Sequence, residues 1–412
     1  MGKGQNEWSR RKFITNVTGA GGAIMLNPLS SWTVNKIYPR VAEIVAKTIG
    51  IDTHNHIDVP LNSIELPGPK VDLAGDMKRS GLSAICMTFA VDYQKLTKTG
   101  EAYERFINGL TAMDEVLKSS NIKRSVNFAD IKSAHQNQKP TVIQSVEGGH
   151  FLEGQLDRLA VAYNRGLRHL GLLHDNDASV PLGDIYTKPP QWGGLTAFGA
   201  NVIKECNKLG ILVDLTHCSN ETINAALKVT TQPVIISHTG LDTQLGQNTN
   251  MAGMMKPRLI SKEQAKIVSD AGGVIGVWWH LAETTAEYVR NIKAMVDIVG
   301  IDHVCIGTDT KMTPAYRPAD SSGPKPGEAK PSASPNSMDG HQSDNKDKKS
   351  ADDGKNRGRA GERTNEAWLD QKEGFYYAVV DAMLQTGFTG DEIGKIGGGN
   401  FLRVFNAATS GH

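Results

Sequence analysis

At 412 residues the chain is long enough for one large domain or two small ones, and 39% apolar residues suffice for a sizeable core. A formal net charge of +1 gives no electrostatic case for nucleic acid or an anionic membrane surface. The four cysteines, Cys86, Cys206, Cys218 and Cys305, form no CxxC pair or framework spacing, so free thiols packed as small hydrophobes are expected.

In chain order, Ser9-Arg10-Arg11-Lys12-Phe13-Ile14 has the form of a twin-arginine export signal, the kind that carries folded proteins across a bacterial inner membrane. The Gly- and Thr-rich stretch behind it is too polar and too short for a membrane span. Residues 1–35 therefore read as a signal, and the expected address is the periplasm, with no stable span after export. From position 49 onward short apolar runs alternate with helical patterns, the mark of βα units and a parallel sheet. Strands are predicted over 50–54, 84–89, 142–146, 167–173, 211–216, 234–237, 274–278 and 304–307, about the number that closes a (β/α)8 TIM barrel across residues 40–412. Helices are predicted over 102–117, 152–163, 200–208, 262–271 and 286–299, with closing helices at 373–384 and 393–405. Residues 318–364 break the alternation. They are rich in Pro, Gly, Ser, Lys and Asp, a composition that buries too little surface to offset ordering entropy, and they read as a disordered insertion.

Polar residues of interest gather at the C-terminal ends of the predicted strands, the face on which barrel enzymes build their sites. The first strand ends Asp52-Thr53-His54-Asn55-His56, and residues two apart on a strand share a face, so both histidines can reach one metal. The third ends in Glu147, followed by Gly148-Gly149-His150. A carboxylate at the end of an apolar run is costly unless something positive meets it, a metal or an ion-pair partner. The fifth strand ends at His217, the sixth at His238 and the eighth at Asp309. Each is weak evidence singly. Imidazoles and carboxylates arriving together at five strand ends suit zinc.

These residues carry a resemblance. The chain, from about Gly50 to Phe405 apart from the insertion, resembles the membrane (renal) dipeptidase family of the amidohydrolase superfamily. The motifs are Asp52-Thr53-His54-Asn55, Val146-Glu147-Gly148-Gly149-His150, Gly194-Leu195-Thr196-Ala197-Phe198-Gly199, Asp214-Leu215-Thr216-His217, Ile236-Ser237-His238 and Gly399-Asn400-Phe401-Leu402-Arg403-Val404-Phe405. The resemblance implies a dipeptidase with two Zn2+ per chain, bridged by Glu147. His54 and His56 would hold one ion and His217 and His238 the other. Asp309 would sit beside the bridging hydroxide as proton acceptor, while His174 and Arg258 grip a small dipeptide substrate. Two metals sharing a hydroxide lower its pKa and aim it at a carbonyl, and Arg258 offers a planar fork to a carboxylate.

Two positions depart from the family pattern. His56 stands where the family has Asp, which removes one negative charge from the site, and Thr310-Lys311-Met312 replaces the Phe-Asp-Gly that usually follows the eighth-strand aspartate. The substrate rim is thus the least transferable part. HxH on the first strand also occurs widely in amidohydrolases that cut lactones, N-acyl amino acids or phosphoesters, the nearest rival reading. A barrel that only binds peptide is the third reading, and a homodimer stays open.

Overall fold

The computed structural model describes residues 37–316, 363–368 and 371–411. The twin-arginine segment at 1–35 and positions 318–362 of the biased stretch lie outside the described residues. Eight strands form at the expected apolar runs: β1 Ile51–His56, β2 Ala84–Thr88, β3 Thr141–Val146, β4 Leu167–Gly171, β5 Leu212–Asp214, β6 Ile235–Thr239, β7 Val274–Val277 and β8 Val304–Ile306. They pair in parallel in chain order. Residues Thr310–Lys311, just past β8, pair in parallel with β1, setting Asn55 opposite Thr310 and closing the sheet into a (β/α)8 barrel. A short strand at Lys123–Arg124 flanks β3. Every residue of β1 to β8 is buried, which is why these strands read as continuous apolar runs instead of alternating ones.

Helices return the chain between strands, and several open on a capped first turn. Thr196, Ser219, Ser261 and Thr284 accept from the backbone N–H of Gly199, Thr222, Gln264 and Glu287. Each cap satisfies a donor the helix cannot and contributes about 1 kcal/mol. These caps also fix where the βα loops end, on the face that carries the chemistry.

The opposite mouth is sealed. Ile51, Ala84, Cys86, Ile143, Leu212, Ile235, Val274 and Cys305 from the strands pack with Phe401, Leu402, Val404 and Phe405 of the final helix, Asn400–Thr409. Higher in the barrel, Thr53 Oγ1 donates to Ser237 O at 2.8 Å and Ile306 O at 3.0 Å, binding β1 to β6 and β8. A Cβ on Gly307 would stand 1.7 Å from Ser237 O, so only glycine lets β8 come this close. All four cysteines are buried and free, as expected.

Two elements differ from the sequence reading. The helix expected over 152–163 begins only at Arg158, because Glu153 (φ 44°) and Gly154 (φ 82°) form a left-handed turn behind a 3-10 turn at Gly149–Leu152. The biased segment ends earlier than its composition suggested. Thr364 is fully buried, accepts from Asn55 Nδ2 at 2.7 Å, and contacts the Thr310 hydroxyl. It belongs to the barrel wall. No helix among the described residues is long and apolar enough to cross a membrane.

Candidate metal centre

Two buried aspartates shape the strand ends before any histidine is placed. Asp52 accepts from Thr308 N (2.8 Å), Thr308 Oγ1 (2.6 Å), Asn55 Nδ2 (2.8 Å) and His54 N (3.3 Å). It thereby ties the His54 turn of β1 to the Asp309 turn after β8. Asp214 does the same for β5 and β6, accepting from Thr216 N (3.0 Å), Thr216 Oγ1 (2.7 Å), Ser237 N (3.0 Å) and Ser237 Oγ (2.6 Å). These bonds pull the chain out of strand geometry at Thr216, which shortens β5 relative to its apolar run. His217 (φ 67°) and Asp309 (φ 56°) are left in the left-handed region, a conformation costing a non-glycine residue about 1–3 kcal/mol that persists only where the surroundings impose it.

Seven side chains converge on one point at the C-terminal face. His54 Nε2 is 3.2 Å from His56 Nε2, and His56 Nε2 is 3.0 Å from Asp309 Oδ1. Glu147 Oε1 faces His217 Nε2 (2.9 Å), His54 Nε2 (3.5 Å) and His238 Nε2 (3.6 Å), while Oε2 faces His174 Nε2 (3.3 Å) and His56 Nε2 (3.7 Å). Although His174 is near, no hydrogen bond reaches Oε2, a carboxylate oxygen with no accessible surface. Gly148 (φ 86°) makes the turn behind Glu147, and a Cβ there would lie 2.4 Å from His150 Nδ1.

The charges follow from this crowding. Burial works against ionising Glu147, but the imidazoles of His174, His54 and His217 hold it well below the usual carboxylate range. Asp309 is half-buried and likewise held ionised, by His238, His280 and His56. Burial also opposes a charge on His217, but hydrogen bonds to Asp175 and Glu147 outweigh it and push its pKa up to about 10. His238 goes the other way, down to about 3, because burial is reinforced by His54 beside it. Two ionised carboxylates and a ring of inward-facing imidazole nitrogens, one oxygen without a hydrogen bond, form a donor set that fits N/O-preferring divalent cations. His54, Glu147 and His238, then His54, His56 and Asp309, then Glu147, His174 and His217 each form a group of three close enough to share one ion.

His54, His56, Glu147, His174, His217, His238 and Asp309 meet at this point, as the sequence suggested. Arg258 is at the rim, where its Nη2 donates to Asp175 Oδ2 at 2.7 Å and Nη1 to Met254 O at 3.2 Å, so part of its fork is already engaged. The structure adds residues that the sequence reading passed over. His280 Nε2 holds Asp309 Oδ2 at 2.7 Å. Asp92 braces His174 Nδ1 at 2.6 Å, and Asp175 holds His217 Nδ1 at 3.2 Å. Tyr93 and Tyr186 place hydroxyls 2.8 Å and 2.9 Å from Nδ1 of His56 and His217. His280 carried a usable signal, since it follows the seventh apolar run, and Asp175 is adjacent to His174. Asp92 and the two tyrosines sit in loops with no local pattern.

A family model for membrane dipeptidase (peptidase family M19) matches residues 39–317, about two thirds of the chain and all of the first eight strands. The chain belongs to the membrane dipeptidase family. An uncharacterized dipeptidase of Schizosaccharomyces pombe is 30% identical over 207 residues, 47% of this chain and 47% of that protein, so the chain spans about half the length of the curated relative it matches. Among solved structures, an amidohydrolase of Pseudomonas aeruginosa is similar at a TM-score of 0.64 and 20% identity, over 89% of this chain and 98% of that one. The probable dipeptidase PvdM of the same organism gives 0.63 at 16%, covering 90% and 99%. A Rhodobacter sphaeroides metallopeptidase bound to a phosphinate mimic of L-Ala-D-Ala gives 0.59 at 15%, covering 88% and 99%. At such identities the likeness shows the shared barrel. The family is one of metallopeptidases, so this member's chemistry is to be sought at the cluster around Glu147.

Proposed function

We propose that the chain is a zinc-dependent dipeptidase that hydrolyses dipeptides at a two-metal site centred on Glu147. The observation that carries this is the two-sided setting of that carboxylate: Oε1 faces His54, His217 and His238, and Oε2 faces His56 and His174. In this reading His54 and His56 would hold one ion and His217 and His238 the other, with Glu147 shared between them. Two zinc ions so held would polarise a carbonyl and acidify a water between them. Asp309 Oδ1 would accept a proton from the attacking water and return it to the leaving amine, with His280 fixing the carboxylate through Oδ2. Asp92 holds His174 by Nδ1, so Nε2 is the atom that meets the substrate carbonyl oxygen. Arg258 pairs with a terminal carboxylate by exchanging its Asp175 contact. A cavity of about 440 Å³ beside His56, lined by Ile57, Val59, Phe89, Tyr93 and Lys311, takes a substrate side chain.

One observation favours a second reading. With His56 present, the cluster has two carboxylates where the family pattern would give three, which suits a lactone, N-acyl amino acid or phosphoester as well as a free dipeptide. A panel of L,L- and L,D-dipeptides set against these substrates, run with zinc-loaded protein, decides between them. Dipeptide turnover at least tenfold above the rest supports the dipeptidase. Turnover of lactones alone overturns it, and zinc binding without turnover of any substrate leaves the peptide-binding barrel. The twin-arginine motif at Ser9 to Ile14 supports export to the periplasm, which fractionation with and without Arg10→Lys plus Arg11→Lys tests.

A further inference from the structure

We infer that Asp214 and Ser237 act as a positioning relay that locks His54 and His238 in the Nδ1–H tautomer, so that both rings present an Nε2 lone pair to the centre. This rests on the metal-site reading above and adds two residues that the reading does not assign.

A count of protons carries the inference. Asp214 has almost no exposure, but four N–H and O–H donors converge on its two oxygens and hold it ionised, and a carboxylate only accepts. Ser237 Oγ lies 2.6 Å from its Oδ2, so the single hydroxyl proton of Ser237 is committed there. Thr216 has no proton to offer Ser237 either. Its own goes to Asp214 Oδ1 at 2.7 Å, and its oxygen accepts from Ser237 N at 2.8 Å. Ser237 Oγ is left with lone pairs only, and it lies 3.0 Å from His238 Nδ1 and 3.3 Å from His54 Nδ1. Both rings must donate to it. In the neutral, metal-binding form of each ring Nε2 is then the unprotonated nitrogen, and in each ring it points at Glu147 Oε1. One hydroxyl at the end of β6 thus sets a histidine on β1 and another on β6, one for each ion in the proposed arrangement. His56 lacks this arrangement, because its Nδ1 partner is the Tyr93 hydroxyl, which can donate as well as accept.

Asp214→Asn inverts the relay without changing its shape. Oδ1 must stay an oxygen, because the backbone N–H groups of Thr216 and Ser237 both point at it from 3.0 Å. The amide NH2 therefore takes the place of Oδ2 and donates to Ser237 Oγ, with His169 Nε2 as its other neighbour at 3.5 Å. The serine proton turns toward His54 or His238, and that ring is driven to carry its own proton on Nε2, aimed at the centre. Partners behind metal-ligating histidines change metal affinity by about 10–100-fold when removed.

The test measures zinc affinity by chelator competition in the full-length wild-type protein and in Asp214→Asn, Ser237→Ala and Ser237→Thr. It adds the ¹⁵N shifts of the histidine ring nitrogens in the zinc-depleted proteins. A loss of about 10–100-fold is expected in Asp214→Asn and Ser237→Ala, with Ser237→Thr near wild type because it keeps the hydroxyl. The wild type should show two Nδ1–H rings, and one of them should change in Asp214→Asn. Unchanged zinc affinity and ring shifts in a folded Asp214→Asn would overturn the relay, as would a lowered melting temperature with zinc affinity intact. Should Asp214→Asn not fold, Ser237→Ala alone decides by the same two readouts. A wild-type protein that binds no zinc would sink the metal reading, and the ring shifts would still report on the relay.

Discussion

His56→Asp isolates what the departure at this position does to the centre. His56 Nε2 lies 3.0 Å from Asp309 Oδ1 and 3.7 Å from Glu147 Oε2. Burial lowers its pKa, but Asp309 and Glu147 outweigh that and hold it above its ordinary value. The wild-type ring therefore relieves two carboxylates, and an aspartate there would oppose both. Two like unit charges about 4–5 Å apart repel by roughly 4 kcal/mol at an effective dielectric of about 20, so two such pairs set an upper bound near 8 kcal/mol. The realised cost is smaller, because the cluster can take up a proton instead, at about 1.4 kcal/mol for each tenfold change in proton affinity. We expect the zinc-free variant to be less stable than zinc-free wild type by several kcal/mol. Added zinc should raise its melting temperature by more than it raises the wild type's, since a third anion meets the cations. Calorimetric melts of both proteins, with chelator and with zinc, provide the comparison. A zinc-free variant that melts at or above wild type, or gains less from zinc, would refute the electrostatic reasoning.

Two further expectations concern parts of the fold away from the centre. Phe405 is fully buried in the plug and stacks on Phe401 with ring centroids 5.5 Å apart, so Phe405→Ala should cost about 3–5 kcal/mol in denaturant unfolding. Zinc content should not change, and loss of zinc in a folded variant would show that the floor of the barrel couples to the centre. Glu101 accepts from Thr97 N at 2.6 Å and Lys98 N at 3.1 Å, which with the Arg105 guanidinium lowers its pKa to about 2 from an ordinary 4.5. A depressed carboxylate adds stability above its unfolded pKa and loses it as pH falls through the folded one. The melting-temperature gap between wild type and Glu101→Gln should therefore be full above pH about 5 and more than half gone by pH about 3. A gap constant over that window would contradict the assignment.

The barrel was legible because its strands are buried on both faces. Runs such as Ala84–Thr88 and Val274–Val277 have no polar side to interrupt them until Thr88 or the turn, and each stops where the chemistry begins. The converging side chains were legible for the same reason: His54, Glu147, His217, His238 and Asp309 are polar residues at the ends of apolar runs, and in a parallel barrel those ends share one rim. What braces them was not. Asp92, Tyr93 and Tyr186 reach the cluster through loop conformation, and nothing local in the sequence encodes that. Asp52 and Asp214 stood within the quoted motifs, yet their task of tying adjacent strand ends together appears only when Thr308 and Ser237 are brought beside them. Composition drew the boundary of the biased segment at 364 because Thr364 is polar. The hydroxyl of Thr310 and the amide of Asn55 that make it a wall residue come from elsewhere in the chain.

Glu147→Gln asks whether this carboxylate joins two zinc ions. The substitution keeps the volume and removes the charge that faces five imidazole nitrogens within 3.7 Å. Zinc content and dipeptide turnover should be measured on the same purified sample. We predict the loss of at least one zinc and a fall in turnover by orders of magnitude. Two zincs retained with near wild-type turnover, or a lower melting temperature with metal content unchanged, would show that Glu147 is no bridge.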